Sequence, residues 1–61
     1  MNKQNIKTIE NARKFIAAGN ADAAARVVSG MVRAALSTKK RNEIMTAAES
    51  LGITKNPEFI I

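Results

Sequence analysis

The stretch AAGNADAAAR, residues Ala17 to Arg26, decides how this chain is built. Gly19 suits the left-handed backbone conformation that closes a helix, because it has no Cβ to clash there. Asn20 follows at once and can cap a new helix by accepting a backbone N–H with its side-chain oxygen. Asp22 then falls in the first turn, where a negative charge suits the helix dipole. A stop and a start within two residues predict a tight αα-hairpin. The first helix is expected near 4–18 and the second near 21–36.

On a wheel of 100° per residue, Asp22, Arg26, Ser29 and Arg33 share an arc of about 60° on the second helix. Nearly everything else there is apolar: Val27, Val28, Met31, Val32, Leu36 and several alanines. A helix packed on one side shows an apolar stripe of roughly 100°, and this one shows about twice that. The second helix is therefore expected at the centre of the structure, covered from at least two directions. It cannot run on through STKKRNEIMTAAESLG, because Ile44 and Leu51 would then land on the arc of Arg26 and Arg33. A break near Ser37–Thr38 restores the pattern, and either residue can cap a third helix near 38–51.

The third helix offers Ile44, Ala47, Ala48 and Leu51 to a core, and Gly52 ends it. The first offers Ile6, Ile9, Ala12 and Ile16, with Phe15 at one edge and Arg13 at the rim, snorkelling there or reaching a partner or a carboxylate such as Glu49 or Glu58. After Gly52, Pro57 blocks a regular helix and pushes Asn56 toward extended geometry. The expected fold is a single all-α domain spanning residues 1–61, three helices with an extended apolar C-terminal tail.

Bulk composition narrows the functions. A chain of 61 residues without Cys or His has no disulfide and no thiolate or imidazole metal ligand. No serine has a histidine to activate it, and Glu10, Asp22, Glu43, Glu49 and Glu58 are scattered. The chain therefore reads as non-enzymatic, with no metal and no cofactor. Ten Lys and Arg against five Asp and Glu give a net charge of +5, which directs attention to acidic partners. No apolar run approaches the roughly 20 residues of a membrane span, and residues 1–20 show no signal-peptide pattern. No membrane association is expected, and the default location is the cytoplasm.

Three surfaces are candidate sites. The first is STKKR: Lys39, Lys40 and Arg41 crowd the first turn of a helix whose dipole disfavours cations. With Arg33 nearby, they suit a phosphate or an acidic partner. The second is the stripe Ala23, Val27, Gly30 and Ala34. A glycine inside a helix costs about 1 kcal/mol relative to alanine and often marks close approach of another backbone. The bland account is packing by the first or third helix; the functional one is a symmetric contact in a homodimer. The third is the tail, where Phe59, Ile60 and Ile61 either fold back over the groove between helices or insert into a second subunit or a target.

A helix-turn-helix register with Gly19 at the turn puts bulky Phe15 where a small residue is needed. It also puts Ala24, Ala25 and Val27 where base-reading side chains belong. Single-strand binding lacks aromatic platforms, since the chain has two Phe and neither Trp nor Tyr.

The layout ARKFIAAGNADAAARVVSGMVRAA, residues 12–35, followed by LGITKNPEF, residues 51–59, resembles the small uncharacterised accessory proteins of tailed bacteriophages. That resemblance covers most of the chain and implies no activity and no site residues. It implies a viral protein that binds and redirects a host component in the host cytoplasm. The resulting expectation is a small interaction or regulatory protein acting on a protein target, as a homodimer. The alternative is a nucleic-acid-binding protein that places Arg33, Lys39, Lys40 and Arg41 on phosphates.

Overall fold

The computed structural model describes all residues, 1–61. It contains three helices and no strand: α1 (Lys3–Ala17), α2 (Ala21–Ala34) and α3 (Thr38–Leu51). The sequence places all three: α1 lies one residue earlier than expected, α2 ends two residues short and α3 has the expected bounds. α1 starts where the Asn2 side chain accepts the Asn5 N–H at 2.8 Å.

The hairpin forms as its sequence predicts. Gly19 takes φ +80°, its N–H donates to the Ile16 carbonyl, and the Asn20 N–H donates to the Phe15 carbonyl at 2.8 Å. This pair of bonds satisfies carbonyls left without partners at the end of α1. Asn20 then caps α2 by accepting the Ala23 N–H at 3.2 Å. Gly52 repeats the device after α3, with φ +75° and the Ile53 N–H reaching back to the Ala48 carbonyl. The turn drives Ile53 inward, where it is 2% exposed and joins Ala48 in the core.

α2 supplies the largest share of that core, through Ala24, Ala25, Val28 and Val32. Ile9 and Ala12 come from α1, and Ile44 and Ala48 from α3. α1 packs extensively along α2, and α3 more sparingly. Ala12, Ala24, Ala25 and Ala48 are fully buried, so the elements meet largely through small side chains. The bulk of the core comes from Ile44, Val28 and Val32, each worth about 1.5–3 kcal/mol when fully buried. The ammonium of Met1 meets Glu43 at 3.1 Å and ties the start of α1 to α3.

Two expectations need correction. Ile6, assigned to the core, is exposed, because the inward arc of α1 is centred on Ile9 and Ala12. α2 stops at Ala34 rather than near 36: Ala35 is extended, with ψ 134°, and Leu36 leaves the helix to stand 91% exposed. Arg13 is exposed, in keeping with a place at the rim, and it pairs with neither Glu49 nor Glu58, the latter being engaged by Arg26.

The C-terminal segment is a turn followed by a short run along α2. Asn56 opens the turn: its side chain accepts the Glu58 N–H at 2.8 Å and its carbonyl accepts the Phe59 N–H at 2.9 Å. Pro57 sits at the second turn position, where its fixed φ costs nothing. Phe59 packs on the core, half-buried, whereas Ile60 and Ile61 are 62% and 61% exposed. Only the first of the three tail side chains behaves as a cover.

Candidate functional site: an open apolar face beside a cationic turn

The polar arc of α2 is where the tail docks. Asn56 donates from Nδ2 to Asp22 Oδ1 at 3.0 Å, and Arg26 Nη1 meets Glu58 Oε1 at 2.9 Å. Arg33 Nη1 donates to the Ile60 carbonyl. The partners advance together, 22, 26 and 33 against 56, 58 and 60, so the segment runs parallel to the helix. Ser29, on the same arc, is buried and donates to the Arg26 carbonyl at 3.1 Å. Both Arg26 and Glu58 are more than a third exposed, so their pair contributes at most about 1 kcal/mol. The bonds set the direction of the segment more than they stabilise it.

Beside this polar arc, whose Asp22, Arg26 and Arg33 stay exposed while bonding to the tail, α2 also presents apolar residues. Ala23, Val27, Gly30 and Ala34 lie together on the side turned away from the core; Val27 and Ala34 are exposed, Ala23 and Gly30 half-buried. The stripe is thus only partly covered within the chain, and Val27 and Ala34 stay open to solvent. A Cβ added at Gly30 would meet only the Arg33 guanidinium of its own helix, at 3.8 Å, an ordinary contact. Nothing inside the chain requires a glycine there.

The basic turn is divided. Arg33 is held by the tail and does not join Lys39, Lys40 and Arg41. Those three are exposed in the first turn of α3 and none forms an ion pair, since the chain's two salt bridges are Met1–Glu43 and Arg26–Glu58. Ser37 caps α3 by accepting the Lys40 N–H at 3.2 Å. Any anion drawn here therefore meets lysine side chains, with one of the terminal N–H groups already taken.

Leu36 is the residue that sequence reasoning misplaced, and it stands between these two regions. The only local signal was the approach of Ser37, a helix-starting residue, within two positions. Beside it lies a shallow hollow of about 250 Å³, formed by Met31, Ala34, Ala35 and Ile44 and bounded by Asn2, Asn5 and Lys40. No group of acidic side chains is arranged to hold a metal ion, and no helix is long and apolar enough to cross a membrane. Comparison with known proteins yields no matching family model, no matching curated protein and no matching solved structure.

Proposed function

We propose that this chain is a small non-enzymatic interaction protein that regulates a protein target by occupying a surface on it. One observation carries the reading: Leu36 is 91% exposed beside an apolar hollow lined by Met31, Ala34, Ala35 and Ile44. Exposed apolar surface of this kind marks contact sites when contiguous. The stripe Ala23, Val27, Gly30 and Ala34 supports pairing of two copies. Its spacing of four, three and four is the same read in either direction. A twofold axis then sets Val27 of one copy over Gly30 of the other and Ala23 against Ala34. A second reading, phosphate binding on nucleic acid, is favoured by the unpaired Lys39, Lys40 and Arg41.

The decisive experiment is affinity capture from the native host with and without nuclease, using wild type, Leu36→Glu and Ala34→Glu. A protein retained after nuclease and lost with either variant is the expected result. Capture that disappears with nuclease, with binding to duplex DNA falling steeply as salt rises, would replace this reading with the second. Light scattering checks the pairing. Wild type should show twice the 6.6 kDa chain mass, and Ala34→Glu should return it to one chain.

A further inference from the structure

The hollow beside Leu36 does not stand alone. A second hollow of about 260 Å³ adjoins it, and the two share Asn2, Asn5 and Lys40. Their chemistry differs. The first is floored by Met31, Ala34, Ala35 and Ile44 and contains no charged group besides Lys40. The second adds Lys39 and Ser37, and its one acid, Glu43, is engaged by the Met1 ammonium. An apolar seat and a cationic wall are thus set side by side, with Lys40 common to both.

We propose that this paired hollow docks an acidic amphipathic segment of a partner protein. An aliphatic side chain of that segment sits beside Leu36 over Met31 and Ala34, and a carboxylate on the neighbouring turn reaches Lys39 and Lys40. The inference rests on the protein-binding reading and specifies the chemistry of the partner. Charge complementarity selects this occupant. A second copy of the chain brings a net charge of +5 against a wall that already carries unpaired lysines. Nucleic acid would satisfy the lysines but leave the apolar seat unused, and no aromatic ring lines either hollow to stack a base. A hydrophobic anchor flanked by carboxylates uses both halves, in the way helices lie in grooves.

The test selects a displayed random-peptide library on the intact chain and maps the selected peptides by amide chemical shifts. The expected peptides carry Asp or Glu within a turn of Leu, Ile, Met or Phe. Shifts should concentrate at Asn2, Asn5 and residues 31–40. Leu36→Ala and Lys40→Glu should each weaken binding about tenfold or more. Their salt responses should part: Leu36→Ala keeps the wild-type sensitivity to salt and Lys40→Glu loses it. Both side chains are exposed, so melting curves should show intact folds.

Neutral or basic selected peptides, or shifts centred on Val27 and Gly30, would overturn the inference while leaving the protein-binding reading in place. Failure to enrich any peptide would also overturn it, and the capture experiment then judges the broader reading separately. A single-stranded oligonucleotide that displaces the peptides, loses affinity with Lys40→Glu and keeps it with Leu36→Ala would assign the wall to phosphates. That result too would overturn the inference.

Discussion

Phe59→Ala should destabilise the fold measurably, and replacing the two isoleucines that follow it should not. Phe59 is half-buried against the core while Ile60 and Ile61 remain mostly in water. Removing a fully buried phenylalanine costs about 3–5 kcal/mol, so a half-buried one should cost about 2 kcal/mol. For a domain of this size, 1 kcal/mol moves the melting temperature by about 4–8 °C. Phe59→Ala should therefore lower it by about 8–16 °C. The double variant Ile60→Ser/Ile61→Ser keeps the backbone carbonyl that Arg33 reaches and removes side chains more exposed than not. Its cost should stay within about 1 kcal/mol. Thermal unfolding followed by circular dichroism at a low, fixed protein concentration reads both, with concentration fixed so that self-association does not enter. Equal losses from the two variants, or an unshifted curve for Phe59→Ala, would refute the division of the tail into one covering residue and two free ones.

Two glycine-to-alanine changes should have opposite signs. Gly30→Ala should raise stability by up to about 1 kcal/mol in urea titrations, because its Cβ meets no obstacle and alanine is the better helix former. Gly52→Ala should lower it by about 1–2 kcal/mol, because its Cβ also meets nothing but the backbone φ of +75° is strained for an L side chain. Replacing Lys39, Lys40 and Arg41 together by Ala should hold or raise the melting temperature, since each cation opposes the dipole of α3 by a few tenths of a kcal/mol, up to about 1. A large drop would show that the cluster supports the fold.

The hairpin was legible because its signals are local. Gly19, Asn20 and Asp22 each act within one helical turn, and so do Ser37 and Gly52, so element number and order could be read from single residues. The path of the tail was not legible. Its course depends on Asn56, Glu58 and Ile60 finding Asp22, Arg26 and Arg33 some thirty positions earlier in the chain, and no periodicity encodes that meeting. Leu36 failed for a related reason. On a wheel it continues the apolar side of α2, and only the need to turn before Ser37 removes it from the helix.

Beside the tail, α2 presents apolar residues to solvent. An amphipathic helix normally keeps its polar side in water and buries the rest. Here the polar side also carries the chain's own C-terminal segment, and Val27 and Ala34 stand in water beside the exposed Asp22, Arg26 and Arg33. The charges follow the same division. On α2 and the segment along it, Asp22 and Glu58 balance Arg26 and Arg33, whereas the other eight Lys and Arg stand against only Glu10, Glu43 and Glu49. The whole net charge of +5 therefore lies off this face. Two kinds of surface result, a neutral apolar one along α2 and a cationic one on α1 and around the start of α3. Leu36 and Lys40 stand where they meet, so a partner that is both greasy and acidic gains there what it would gain from neither surface alone.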